Sequence, residues 1–464
     1  MGNTVLCPLD GRYQSKLALL RQYMGEAAFS SARVQAETAW LEVLCSLKLP
    51  HLKPLTVAEK KQVAQLSNLT EKDLAVLAAL EQKGYHNIPA TKHDVKAVEY
   101  FLKLKLKNTS LKNRLPWLHF ALTSEDINSA AYAVLLSDGL EKVILPTLTK
   151  LAQALAVLAR KEAGSILLAR THGQPAVPTT FGKEIRVFEV RLRRQIEQLK
   201  KLQISCKFGG AVGNYNAHVA AYPRVNWHQA AKQFVAKLNQ NRRIKIFLSP
   251  LSTQVDNRDS YAELFDNLRR CNVILTDLSQ DMWRYISAGL VRQKVVAGEV
   301  GSSTMPQKVN PIDFENAEGN LQLANALFTF FAQKLPISRL QRDLSDSTVL
   351  RNMGVAFGYA QTAYLSLLDG LAKIAFDRQA AEEELYQHPE VLAEGIQTIL
   401  RANGIKNAYE LLRDFTRGRK MSVSLLTDFI DGLEVSAPVK MQLHQLEVTN
   451  YIGYAKKLAE GKND

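Results

Sequence analysis

The sequence predicts an all-α fold, and two observations support this prediction. Apolar residues recur at helical spacing over unusually long stretches, whereas the strict alternation typical of strands is scarce. The chain has 464 residues, of which 46% are hydrophobic, so it can bury a large core. The long helical patterns cover roughly residues 126–162, 183–206, 259–290 and 311–334.

The change of pattern along the chain predicts three helical domains. Shorter helical patterns, separated by turn signals, precede and follow the long ones. We expect an N-terminal domain over residues 1–118, a central long-helix bundle over residues 119–363 and a C-terminal domain over residues 364–464. A helix of ~30 residues spans about 45 Å, so the central helices need packing partners along their whole length.

The N-terminal domain is expected to begin with an irregular stretch over residues 1–25. A helix near residues 26–48 follows, with Trp40 on its apolar face. Residues 57–83 predict two helices, the second capped by Thr70, and a further helix begins near His93.

The central bundle contains one expected kink and two expected loops. Pro146 interrupts the first long helical pattern, because proline lacks the N–H that a helix interior needs. Gly- and Pro-rich sequence predicts loops over residues 171–184 and 208–218. In the C-terminal part we expect a loosened junction at residues 354–360 and turns at residues 403–404 and 417–418.

The chain is basic, with 59 Lys and Arg against 45 Asp and Glu, a net charge of +14. Such a surplus suits nucleic acid, phosphorylated metabolites or dicarboxylates. The basic residues are spread along helices and are not interleaved with aromatic residues, which disfavours nucleic acid. Four widely spaced cysteines without C-x-x-C spacing favour a reducing cytoplasm. Neither a signal peptide nor an apolar run of membrane-spanning length is expected.

Common cofactor and metal motifs do not occur in the sequence. There is no GxxxxGK[ST] segment, no HExxH segment and no GxGxxG between a strand and a helix. The sequence therefore gives no indication of a P-loop, of an HExxH zinc site or of a dinucleotide-binding fold.

The segment GSSTMPQKVNPIDFENAEGN, residues 301–320, joins a small polar loop to a helix. Asn310 suits the N-cap of this helix, and Glu315 lies near the positive end of its dipole. Hydroxyls, the Lys308 cation and N–H groups here could bind an anion. From composition alone, a linker before a surface helix is an equally good interpretation.

This segment resembles the signature loop GSSxMPxKxNP of the fumarase/aspartase superfamily at every fixed position. The resemblance implies a homotetramer in which the central helices of four subunits form a twenty-helix core. It also implies active sites shared between subunits, because the motifs lie on different elements of an elongated chain.

The resemblance also assigns catalytic roles. Thr171 to Pro175, THGQP, resembles the superfamily segment that carries a catalytic histidine, so His172 would protonate the leaving nitrogen. Glu315 matches the glutamate that orients this histidine. Ser302 would be the general base, with the adjacent Ser303 as its rival.

Four further segments, DGRY from Asp10, TKHD from Thr91, TSED from Thr123 and LQRDLSDSTVLRN from Leu340, resemble motifs of the adenylosuccinate lyase family. That family cleaves adenylosuccinate to AMP and fumarate, and the succinyl-carboxamide imidazole ribotide SAICAR to AICAR and fumarate. The resemblance implies that neither a metal nor an organic cofactor is needed. Arginine and serine on these segments suit a phosphate. The substrate-binding residues implied are Arg12, Tyr13, Lys92, His93, Asp94, Thr123, Ser124, Thr171, Gln254, Lys308, Asn310, Asn316, Arg342, Ser347 and Arg351.

Two residues depart from the pattern of the family. Gln307 stands where adenylosuccinate lyases usually have His, and Gln is frequent there in argininosuccinate lyases. Lys92 replaces the more usual Asn. Argininosuccinate lyase, another fumarate-releasing lyase, and a non-catalytic or RNA-binding protein on the same fold are therefore the alternatives.

Overall fold

The computed structural model describes residues 5–294, 305, 308–418 and 421–461. Helices dominate these residues, so the predicted all-α class is confirmed. The first five helices are α1 Ala18–Met24, α2 Glu26–Ser46, α3 Val57–Gln65, α4 Glu71–Gln82 and α5 Asp94–Leu106. The long helices and those between them are α6 Ser124–Gly139, α7 Leu145–Lys161, α8 Phe181–Leu199, α9 Asn216–Ala221, α10 Trp227–Leu238, α11 Asp259–Ser287 and α12 Ile312–Lys334. The remaining helices are α13 Ser345–Leu350, α14 Met353–Lys373, α15 Arg378–Tyr386, α16 Ala393–Ala402, α17 Ala408–Thr416, α18 Val423–Asp431, α19 Ala437–His444 and α20 Ala455–Glu460.

The N-terminal helices begin where capping residues place them. Thr70 caps α4, and its backbone N–H donates to the Asp73 carboxylate at 3.0 Å, as a capping box requires. The expected irregular start is wrong over residues 18–24, which form α1. Leu20 and Met24 are four residues apart and buried, so packing stabilises a short helix that lacks sequence signals.

The interruption predicted at Pro146 takes the form of a π turn over Leu140–Ile144. The Leu145 N–H donates to the Leu140 carbonyl, five residues back. This wider turn links α6 to α7 just before the proline, which has no N–H to donate.

Three two-stranded sheets lie in the described part of the chain, and the sequence predicted none of their strands. β2 Gln174–Thr180 lies within the expected loop and forms an antiparallel hairpin with β1 Ile166–Thr171, which ends at the first residue of that loop. β3 Ile204–Cys206 pairs in parallel with β4 Ile246–Leu248, so the helix predicted to residue 206 ends at Leu199. The third sheet pairs β5 Val291–Gln293 with β6 Ile374–Phe376. The expected loosening at 354–360 is also wrong, because α14 continues through it.

The chain divides into two compact units. Unit 1 comprises Met1–Thr149, Gln195–Val273 and Gly319–Leu365. Unit 2 comprises Lys150–Arg194, Ile274–Glu318 and Ser366–Asp464. Each boundary between them falls within a long helix, and the three-domain division stays a prediction.

Each unit has its own apolar core. In unit 1, the Phe328 ring packs against those of Phe265 and Phe357, with centroids 5.7 and 5.4 Å away. In unit 2, a C-terminal cluster forms around the fully buried Leu385 and Leu443.

One helical stretch among the described residues, Ser124–Lys161, is long and apolar enough to cross a membrane by length and composition. Of its most apolar window, 56% is buried within the protein. A single such helix is weak evidence for a membrane, because a core helix meets the same criterion.

Candidate active site

Asp94 joins three segments of unit 1 at the start of α5. Its Oδ2 atom accepts hydrogen bonds from Arg33 of α2 and from Arg351 Nη2, the latter at 3.0 Å. Burial acts to raise the pKa of Asp94, but the two guanidinium groups and the Val95 N–H outweigh burial and hold the pKa below its ordinary value. The predicted residues Asp94 and Arg351 are therefore in direct contact.

His93 caps α5 with its imidazole ring. Its Nδ1 atom accepts the Lys96 N–H at 3.3 Å, so the neutral ring carries its proton on Nε2. Half of the His93 side chain is exposed. The neighbouring Lys92 donates from Nζ to the Gln82 carbonyl at 2.7 Å, where it complements the C-terminal end of α4.

A buried network of two arginines and two carboxylates links three further segments of unit 1. Arg258 is only 2% exposed, and its Nη2 lies 2.9 Å from Glu125 Oε1. Its Nη1 lies 2.6 Å from Asp346 Oδ2. Arg342 Nη2 approaches Glu125 Oε2 at 3.3 Å, while its Nη1 donates to Gln254 Oε1 at 2.9 Å. The predicted residues Gln254 and Arg342 are thus hydrogen-bonded to each other.

Asp126 anchors the segment that carries Thr123 and Ser124. The Thr123 N–H donates to Asp126 Oδ2 at 2.8 Å, and Lys207 Nζ lies 2.6 Å from Asp126 Oδ1. Both charged side chains are completely buried. The Gly210 N–H also donates to this carboxylate. Thr123 and Ser124 remain half-buried at the start of α6.

The arginine-bearing segment has the spacing that the sequence predicts. The Arg351 N–H donates to the Ser347 carbonyl at 3.3 Å, so these residues are one helical turn apart. Arg12, exposed, and Tyr13, half-buried, precede α1 in the same unit. With Arg342 held on the buried Glu125 and Arg351 on the half-buried Asp94, this part of unit 1 can bind an anion.

His172 lies at the tip of the β1–β2 hairpin in unit 2. Thr171 pairs with Gln174, which leaves His172 and Gly173 as a two-residue turn. Both have positive φ angles, 54° and 76°, a conformation that is uncommon for any residue other than glycine. Thr171 and His172 are exposed.

Glu315 lies on the first turns of α12, where it is exposed and accepts a hydrogen bond from Trp283 Nε1 at 3.1 Å. No hydrogen bond joins Glu315 to His172 within the described residues of this chain. On the same helix, Asn316 Oδ1 accepts from the Ser366 hydroxyl at 2.9 Å. The helix begins at Ile312, two residues after the predicted cap Asn310.

Ser302, the predicted base, lies outside the described residues, as do Ser303 and Gln307. Lys308 is exposed, and its N–H donates to the Met305 carbonyl at 3.0 Å. Asn310 is half-buried.

The sequence reasoning missed the buried charges that hold these segments. They are Arg33, Glu125, Asp126, Lys207 and Arg258. The one available signal was charge within otherwise apolar or glycine-rich sequence, as at Lys207, which precedes Gly209 and Gly210. Among the described residues, no group of three or more His, Cys, Asp or Glu side chains could hold a metal ion.

Comparison with known families identifies two matching regions. Residues 11–324 match a family described as lyase, and residues 338–452 match the adenylosuccinate lyase C-terminal family. The chain is 45% identical over 460 residues to an adenylosuccinate lyase of Haemophilus influenzae, with 98% of each chain covered. It is 45% identical over 455 residues to that of Escherichia coli K12, with 97% of each covered.

Solved structures with low sequence identity have the same fold. A fumarate lyase from Mesorhizobium sp. BNC1 matches with a TM-score of 0.73 at 18% identity, covering 96% of both chains. A 3-carboxy-cis,cis-muconate lactonizing enzyme from Pseudomonas putida matches with a TM-score of 0.71 at 21% identity, covering 96% of this chain and 95% of that one.

Proposed function

We propose, since this chain belongs to the adenylosuccinate lyase family, that it cleaves adenylosuccinate to AMP and fumarate and SAICAR to AICAR and fumarate. The observation that carries the proposal is the 45% identity to an adenylosuccinate lyase over 98% of both chains. The reaction breaks a C–N bond by elimination and forms the double bond of fumarate.

Three residues carry out the chemistry in this proposal. Ser302 removes the proton from the carbon next to a substrate carboxylate, and the electron pair moves into that carboxylate. The pair then returns to form the C=C bond of fumarate, and the C–N bond breaks as His172 gives its proton to the departing nitrogen. Glu315 orients His172 and stabilises its protonated form. The exposed hairpin tip supports this role, because the imidazole is open to a substrate.

The proposed binding residues form two groups, one that contacts the phosphate of the substrate and one that contacts its succinyl carboxylates. Arg342, Ser347 and Arg351 bind the phosphate, together with Arg12 and Tyr13. The contacts of Arg342 and Arg351 with Glu125 and Asp94 support this assignment, because they fix the guanidinium groups before substrate arrives.

Hydroxyl, amide and ammonium donors bind the succinyl carboxylates. They stabilise the charge that develops when the proton leaves, which is the main electrostatic demand of such an elimination. These donors are Thr123, Ser124, Gln254, Lys308 and Asn310.

The proposal includes a cytoplasmic homotetramer whose active sites are shared between subunits. Its central helices would associate in a twenty-helix core. Its ligands are small anionic nucleotides, with neither nucleic acid nor membrane as a partner. A sedimentation experiment that gives a monomer at working concentration would contradict the tetramer.

Fumarate release from defined substrates tests the function. Purified protein is incubated separately with adenylosuccinate, SAICAR and argininosuccinate, and fumarate is quantified. We expect fumarate from the first two only, and loss of this activity in Ser302→Ala. Gln307 favours argininosuccinate lyase as the second candidate, so fumarate from argininosuccinate alone would replace our assignment.

A further inference from the structure

We propose that Arg258 is a positioning residue that keeps Arg342 available to the substrate phosphate. This inference rests on the proposed function. It concerns a residue that lies outside every motif by which the family was recognised. Arg258 acts through Glu125, the carboxylate that the two arginines share.

The location of Arg258 excludes direct contact with substrate as its main role. The side chain is 3% exposed, and both carboxylates that it contacts are buried as well. Its backbone has a φ of 59°, in the left-handed region, and its N–H donates to Asp256 Oδ2 at 3.0 Å. The residue is therefore fixed at the start of α11 with its guanidinium directed at Glu125 and Asp346.

Glu125 lies closer to Arg258 than to Arg342. Arg258 contacts Glu125 at 2.9 Å, whereas Arg342 contacts it at 3.3 Å. Burial raises the pKa of Glu125, and the charges of Arg258 and Arg342 oppose this effect. Without Arg258, Glu125 would have Arg342 as its remaining cation among these residues. Glu125 would then draw Arg342 closer and compete with the substrate phosphate.

Arg258 also fixes the segment that carries Ser347. Its Nη1 lies 2.6 Å from Asp346 Oδ2, and the other oxygen of Asp346 accepts the Ser347 N–H at 2.7 Å. A guanidinium can make both contacts because its two terminal nitrogens diverge in a plane. A lysine ammonium supplies the charge from one point, so it can satisfy one carboxylate well.

The dicarboxylate-binding segment has a separate anchor. Thr123 is held through Asp126, which pairs with Lys207 independently of Arg258. Loss of Arg258 should therefore weaken the binding of phosphate-bearing ligands more than that of fumarate, although Gln254, one of the proposed carboxylate donors, is hydrogen-bonded to Arg342. A purely structural role would weaken both ligands or neither.

Three variants test this inference in the full-length protein. Arg258→Met removes the cation, and Arg258→Lys keeps the positive charge but lacks the two diverging nitrogens of the guanidinium. Arg242→Met is the matched control, since Arg242 is another nearly buried arginine of unit 1, paired with Asp138 at 2.7 Å. Melting temperature, KM, kcat and the inhibition constants of AMP and fumarate are measured for each.

We expect Arg258→Met to raise KM and the AMP inhibition constant about tenfold or more, the range for a charged hydrogen bond. The fumarate inhibition constant should change less than about twofold. Arg258→Lys should be intermediate. Arg242→Met should lower the melting temperature with KM nearly unchanged. An AMP constant within about twofold of wild type in Arg258→Met, or in Arg258→Lys if the first variant does not fold, overturns the inference.

A double-variant cycle with Arg342→Met tests whether Arg258 acts through Arg342. In that background, Arg258→Met should raise the AMP inhibition constant much less than it does in the wild-type background, because only its effect on Ser347 through Asp346 remains. A full additive effect would overturn the inference. Wild-type protein that does not cleave adenylosuccinate would instead overturn the proposed function, and the two failures are therefore distinguishable.

Discussion

The candidate residues of unit 1 and unit 2 are held in different ways. In unit 1, Asp94, Arg342 and Arg351 are fixed by ion pairs that lie partly or wholly within the protein. In unit 2, His172 lies exposed at a hairpin tip, and its backbone conformation is its main constraint. Charged groups that are fixed before the substrate arrives suit binding, whereas an exposed imidazole is accessible for proton transfer to a substrate.

The largest effect should come from the hairpin tip. His172→Asn removes the imidazole, and asparagine tolerates the left-handed backbone. We expect kcat for fumarate release to fall about 10²- to 10⁴-fold, with little change in melting temperature. His51→Asn is the control, because His51 is an exposed histidine with a φ of 64°. Comparable kcat values for the two variants would remove His172 as the acid.

The next largest effect should be on the stability of unit 1. Lys207→Met leaves Asp126 buried without its cation, which costs about 3–5 kcal/mol in comparable cases. We expect a large fall in melting temperature. The exposed pair of Lys200 and Glu197 is the control, and Lys200→Met should change stability by less than about 1 kcal/mol. Equal shifts in the two variants would show that the buried pair is not an anchor.

A smaller effect should separate binding from catalysis. Arg351→Met removes a charged partner of both Asp94 and the proposed phosphate, so KM should rise roughly tenfold or more while kcat changes less. Arg269→Met is the control, since Arg269 forms an exposed ion pair in the same unit. If kcat fell and KM stayed constant, Arg351 would belong to the chemical step.

The smallest effect should be a pH dependence of stability. Burial acts to lower the pKa of His119, but its hydrogen bond and charge interaction with Glu37 outweigh burial and raise the pKa. This contribution is complete below the unfolded value of 6.5 and is lost as pH rises through the folded value. The melting-temperature difference between wild type and His119→Asn should therefore shrink from about pH 6 to about pH 9. A constant difference would contradict the raised pKa.

Sequence patterns predicted helices better than strands, for physical reasons. Helical periodicity is local, so α2, α4, α11 and α12 lie close to their predicted positions. β3 depends on a partner that lies about forty residues away, and β2 contains Pro175 and Pro178, which argue against a strand. Proline is tolerated there because both strands of a two-stranded sheet are edges.

Sequence motifs named candidate site residues, but they did not reveal the buried charged residues that hold these candidates in place. Motifs pointed to Arg342 and Arg351, which the structure connects to the buried Glu125 and the half-buried Asp94. Arg258 and Lys207 were missed, because a charged side chain is normally exposed and only the fold reveals that these two are buried.

Subunit mixing is the most direct test of one active site built from both kinds of region. His172→Asn and an Arg342→Met/Arg351→Met double variant are purified, dissociated together and reassembled, with wild type treated in parallel. At substrate concentrations below the wild-type KM, we expect the mixed tetramers to be much more active than either parent variant. Some of their active sites receive an intact His172 from one subunit and intact Arg342 and Arg351 from another. Activity equal to the average of the parents, with wild type fully recovered, would contradict a shared active site that takes His172 and the two arginines from different subunits.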